Sequence, residues 1–154
     1  LYPFQTFTSS RKVDFSQVPL FVEGSSEAVA EQIDQLAANL SRNCYRADQQ
    51  RRREIHLTGV LACNFVNALY SMAAKRLEHE EGLSFEVLKP LIVETAMKAA
   101  QVDDPFSVQT GPAVRGDRAT AERHVAMLEG CQTEQTLYRL LNDYIYDSKH
   151  KSQQ

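Results

Sequence analysis

His56, Gly59, Cys63, Asn64 and Asn67 share one part of a helical surface: at about 100° per residue His56 and Cys63 nearly coincide and Asn64 lies close by. An imidazole titrates near neutrality and suits a general acid or base. A polar patch on an otherwise apolar helix serves either as a satisfied internal network or as a substrate-binding face. The residues by themselves favour the internal network, because buried polar groups simply need partners. Gly59 costs a helix roughly 1 kcal/mol relative to alanine, which implies that something packs closely there. A second candidate is Gln5-Thr6, two hydrogen-bonding side chains shortly after Pro3; such groups most often sit at turns or strand ends.

The third candidate is the stretch QTGPAVRGD, Gln109 to Asp117. Gly111-Pro112 enforces a tight path, Gly116 permits close backbone approach and Asp117 is placed to cap a helix. Those roles leave Gln109, Thr110 and Arg115 without a structural task. A surface arginine is usually solvated or paired with an acid. The functional alternative is a guanidinium that reads a carboxylate or phosphate.

The elements that must position these residues fall into two parts. Pro19–Glu23 reads as a buried strand ended by Gly24, and Ser25 or Ser26 then caps a helix with Val29, Ile33, Leu36, Ala37 and Leu40 as its buried stripe. Cys44–Ala47 reads as another strand, giving a βαβ unit with a parallel pair. Two strands make no stable sheet, so the Phe4–Phe7 segment or further neighbours are required. Asp48 caps a long helix to about Glu81, closed by Gly82, with two apolar rows that predict burial on more than one side. Its start, Arg51–Arg53, is polar. Ser84 caps the next helix, through about Ala100, with Pro90 as a potential kink. Asp117 caps one to about Glu129, and a last helix begins near Thr133 with Leu137, Leu140, Leu141, Tyr144 and Ile145 inward. The tail from Lys149 to Gln154 reads as frayed.

The fold class expected is therefore mainly α: residues 1–47 as a piece of an α/β domain, residues 48–154 as a helical bundle. A helical unit with so apolar a central helix completes its core with a second copy, so a homodimer is expected. The composition is 43% hydrophobic and 24% charged with a net charge of −3, which fits a globular protein without a nucleic-acid-binding surface. No uninterrupted apolar run marks a membrane span and no signal-peptide pattern opens the chain. Cys44, Cys63 and Cys131 form no Cys-x-x-Cys and read as buried free thiols of a cytoplasmic protein. His56, His79, His124 and His150 have no metal-ligand spacing, so no metal is expected. None of the six glycines forms a phosphate-cradling Gly-x-Gly-x-x-Gly. The opening, Leu1-Tyr2-Pro3-Phe4-Gln5-Thr6-Phe7, reads as the interior of a larger protein.

Taken in order, LYPFQTF, PLFVEG, His56 with Asn64, PLI-x-ET at residues 90–95, and QTGPAVRGD with His124 resemble a family of NAD(P)-dependent oxidoreductases. Its members join a Rossmann domain to a C-terminal helical domain of unknown function. The architecture is similar to pyrroline-5-carboxylate reductase and the 6-phosphogluconate dehydrogenase-like enzymes. The resemblance covers nearly the whole chain, and Thr-Gly-Pro-x-x-Arg-Gly-Asp is its most specific element. It implies that residues 1–47 are the end of a Rossmann domain whose glycine-rich half is absent, and that 48–154 form the helical, dimer-forming domain. It further implies hydride transfer between NAD or NADP and a small substrate in an interdomain cleft. His56 and Asn64 would act in substrate binding or proton transfer, with Gln5 and Thr6 near the carboxyl ends of the strands. Thr110, Arg115 and Asp117 would line the cleft or reach across a dimer interface. The chain alone is expected to bind no nicotinamide tightly. The competing reading is a non-catalytic helical dimerisation or protein-interaction module.

Overall fold

The computed structural model describes residues 1–150. They divide into two compact units, one from Leu1 to Ser71 and one from Met72 onward, each described by itself.

In the first unit three short strands form one sheet in the order β1-β2-β3: β1 Tyr2–Pro3, β2 Leu20–Val22 and β3 Cys44–Arg46. β2 pairs with β3 in parallel, Leu20 opposite Cys44, as the βαβ reading requires. β1 pairs with β2 antiparallel, Tyr2 opposite Phe21. The added strand thus lies just before Phe4–Phe7. Helix α1, Glu27–Leu40, covers the sheet; Ser26 caps it, its hydroxyl accepting from the Val29 amide at 3.3 Å.

The core is Val18, Leu20, Val22 and Ala37, with Val13, Ile33 and Cys44 against it. The buried face of α1 is therefore Ala30, Ile33 and Ala37, while Val29, Leu36 and Leu40 are exposed. The predicted stripe is corrected here: the close approach of α1 to the sheet takes the small side chains, and the larger ones on adjoining positions turn outward. Buried Ser41 ties the end of α1 to the strand below, its hydroxyl donating to the Val18 carbonyl at 2.6 Å.

Asp48 caps helix α2, Gln49–Gly59, accepting from the Arg51 amide at 2.8 Å. A π-helical turn over Val60–Asn64 joins it to α3, Phe65–Glu81, and Gly82 at φ 65° follows. By length and composition alone the helix Gln49–Glu81 could cross a membrane, although its apolar stretch carries Asn64 and Asn67. The expected burial of its two apolar rows is not found among the described residues. Leu57, Leu61 and Phe65 are each more than half exposed, and no residue from Asp48 to His150 is buried.

In the second unit a 3₁₀ turn, Phe85–Val87, precedes α4, Lys89–Ala100. Ser84 makes no side-chain cap, and Pro90 lies in the first turn of α4, where its missing N–H costs nothing. It starts the helix instead of kinking it. Helices α5, Pro112–Arg115, and α6, Arg118–Met127, both pack on α7, Gln132–His150. Arg76 of α3 donates to the Met127 carbonyl at 2.5 Å and lies 3.8 Å from Glu134 of α7. Leu140, Leu141 and Tyr144, expected inward on α7, are exposed, while Leu137 and Ile145 are partly buried. Lys149 and His150 end α7; the rest of the tail expected to fray lies outside the described residues. The thiols are free, but Cys63, in the π-helical turn, and Cys131, in the connection between α6 and α7, are exposed rather than buried.

Candidate functional site

Strand pairing fixes the first wall of the site. Tyr2 is held opposite Phe21, and Phe4 meets the edge of the same Phe21 ring at 6.1 Å. Tyr45 stacks on the Phe21 ring at 5.5 Å, so four aromatic rings stiffen one face of the sheet. Helix α2 supplies the opposite wall. Its glycine admits the Phe4 ring: a Cβ on Gly59 would lie 2.7 Å from that ring. The close packing implied by a glycine within this helix is thus present, and its partner is Phe4.

Between these walls lies a cavity of about 170 Å³ lined by Tyr2, Phe4, Gln5, Thr6, His56, Gly59, Val60, Cys63 and Asn64. The structure thus brings together Gln5, Thr6, His56 and Asn64, four residues singled out from the sequence. Asn67 is not part of the lining. The Tyr2 hydroxyl lies 3.2 Å from His56 Nδ1. Gln5 Oε1 accepts from the Thr6 amide at 2.8 Å and the Thr6 hydroxyl at 3.3 Å, which fixes the direction of both side chains. Tyr2 and His56 also line a depression of about 370 Å³ with Gln49, Arg52 and Arg53. Arg52 is committed to Glu23 and to the Ala47 carbonyl.

The π turn falls within this lining. Phe65 N–H donates to the Val60 carbonyl five residues back, which widens the helix where Cys63 and Asn64 reach the cavity. Single π turns inside α-helices recur at functional sites. Neither this turn nor the role of Tyr2 was legible in the sequence. The only signal for Tyr2 was its place in LYPFQTF, beside Pro3 and three residues before Gln5.

Thr110, Arg115 and Asp117 belong to the second unit. Far from being a plain break, QTGPAVRGD contains the helical turn α5, entered through Gly111 at φ 117° and left through Gly116 at φ 66°. Asp117 caps α6, accepting from the Thr120 amide at 3.0 Å and the Thr120 hydroxyl at 2.7 Å. Those two bonds, the hydroxyl's first, hold its carboxyl below the ordinary carboxylate range, with lesser help from Arg123 and Arg115. Thr110 and Arg115 are exposed. His124 pairs with Tyr138 at 2.9 Å, locking α6 to α7, and desolvation raises the Tyr138 hydroxyl's pKa.

A nicotinamide dinucleotide needs a cradle for its pyrophosphate. The β2–α1 turn is at Gly24, where a Cβ would lie 2.4 Å from the Ala30 backbone; Glu23, Glu27 and Asp48 border the depression there, with Arg51 and with Arg46, which is already paired with Asp34 and Glu27. A turn closed by its own helix and bordered by carboxylates does not fit a pyrophosphate.

A short α/β part leading into helices, with polar side chains gathered along α2, defines a mainly α protein with a small three-stranded sheet. The chain belongs to the family described as Domain of unknown function (DUF2520), whose model matches residues 18–145. Among solved structures it is similar to one described as a "putative NADP oxidoreductase" from Bacteroides fragilis: 41% identity, TM-score 0.86, covering 95% of this chain and 56% of that one. A protein from Thermotoga maritima shares the fold at 21% identity and TM-score 0.76, over 91% of this chain and 56% of its own. The chain thus spans little more than half the length of either. No curated protein matches it.

Proposed function

We propose that this chain is the substrate-side part of an NADP-linked oxidoreductase, with the dinucleotide phosphates held by residues outside 1–150. The observation that carries this reading is the convergence of Gln5, Thr6, His56 and Asn64 on one cavity at a π turn. The 41% identity to the Bacteroides fragilis protein supports the class of chemistry and favours NADP over NAD. The bound dinucleotide would supply hydride chemistry. This chain's own residues would hold a small polar substrate: Gln5, Thr6 and Asn64 by hydrogen bonds, His56 by exchanging a proton with it. Thr110, Arg115 and Asp117, within the second unit, would be substrate-binding residues too, the exposed Arg115 for an anionic group.

The exposed apolar rows of α2, α3 and α7 support self-association, and a homodimer through the helices is part of the proposal. The same rows favour the second reading, a non-catalytic interaction module. The two separate by calorimetry with NADPH and by turnover in the full-length protein. Tight binding, with His56→Gln lowering kcat/KM by roughly 10²- to 10⁴-fold, is expected of the enzyme. A full-length protein that dimerises yet binds no nicotinamide would leave the interaction module.

A further inference from the structure

The oxidoreductase reading leaves Tyr2 without a role, although it touches the one imidazole in the cavity. Its ring is fixed by the β1–β2 pairing and lies 6.3 Å from both Phe4 and Phe21, while His56 stands on a capped helix. The 3.2 Å contact therefore joins two rigid elements. A neutral imidazole has one donor and one acceptor nitrogen, and the hydrogen bond made by one decides the state of the other. Among the described residues the phenol hydroxyl meets only Nδ1, which can accept its hydrogen in one tautomer or donate to its oxygen in the other. With Nδ1 accepting, the proton resides on Nε2, which makes no hydrogen bond among the described residues.

We infer that Tyr2 is a positioning residue that sets His56 as the Nε2–H tautomer, so that His56 presents a hydrogen-bond donor to the ligand of this cavity. A fixed donor selects an acceptor. The group it meets is a carbonyl or carboxylate oxygen, not an amine N–H or an alcohol used as donor. This deepens the proposed function and rests on its reading of the cavity as the substrate site.

The test is the tautomer of His56 in ¹⁵N-histidine-labelled protein, read by long-range ¹H–¹⁵N correlation at a pH where the ring is neutral. The Nε2–H form is expected to dominate. Tyr2→Phe, which keeps the ring packing, is expected to lower the Nε2–H to Nδ1–H ratio by roughly 2- to 10-fold, the range carried by one hydrogen bond of ordinary net strength. A dominant Nδ1–H form, or a ratio unmoved by Tyr2→Phe, overturns the inference. The ratio is read without turnover or nicotinamide, so its failure is distinguishable from failure of the oxidoreductase reading, which the His56→Gln kinetics judge.

Discussion

Residues 1–47 and residues 48–150 solve the problem of burying apolar surface in opposite ways. β2 has a strand on each side and α1 across it, so Leu20, Val18 and Val22 leave solvent almost completely. From Leu57 into α3 the helical residues are comparably apolar, yet not one of them is buried. Each Å² of apolar surface withdrawn from water is worth about 25 cal/mol, and a row left in water gains none of it. A small sheet can close its core from within 47 residues. A helix with two apolar rows needs a second layer for each, and this segment does not fill both.

The largest expected effect sharpens that contrast. Leu20→Ala removes a fully buried side chain from the closed core of the sheet and should cost about 2–5 kcal/mol in urea unfolding. Leu61→Ala, on the exposed row, should cost well under 1 kcal/mol when the protein is dilute enough to be monomeric. Equal costs in dilute protein would mean that the helical segment has a core of its own.

Next in size is the surface proposed to cover those rows. Leu61→Glu and Phe65→Glu place charges where a second copy is proposed to pack. Each should weaken self-association roughly 30-fold or more, the ~2 kcal/mol typical of a central interface residue. Sedimentation equilibrium measures it. A protein that is monomeric before either substitution removes the homodimer from the proposal.

The same contrast explains what the sequence disclosed. The strands, the βαβ order and the Ser26, Asp48 and Asp117 caps rest on local rules, and all are present. Burial was legible only where the chain closes on itself. The helical pattern of Leu57, Leu61 and Phe65 predicts a buried face but not which molecule buries it. For the site, His56, Asn64, Gln5 and Thr6 were legible as chemistry-bearing types, and Gly59 as a close approach. Tyr2 was not, because its contact with His56 spans 54 residues and depends on strand pairing. The π turn was hidden too, since VLACN has no composition that sets it apart from an α-helical turn.

A smaller effect separates the second unit by pH. Asp117 has its carboxyl pKa lowered in the folded state by the Thr120 hydroxyl and amide. Its contribution is therefore fully present above the unfolded-state pKa and is lost as pH falls through the folded-state value. Asp117→Asn should lower the melting temperature near neutrality and flatten its decline at acid pH. Leu20→Ala, which removes no titrating group, should lower the curve without changing its acid slope.

The smallest stability change falls where helix and sheet residues meet. Gly59→Ala gains up to about 1 kcal/mol of helix propensity. The new Cβ, however, would lie 2.7 Å from the far edge of the Phe4 ring, which must swing aside and give up packing on Phe21. The two terms oppose each other, so melting should move by no more than a few degrees for a net change within about 1 kcal/mol. The function of the cavity should respond far more, because Phe4 is part of its wall and carries the chain on to Gln5 and Thr6. Gly59→Ala is therefore expected to raise KM in the full-length protein while leaving its stability nearly intact. A variant with unaltered KM would show that the Phe4 wall has no part in holding substrate, and would return Gly59 to a purely structural role.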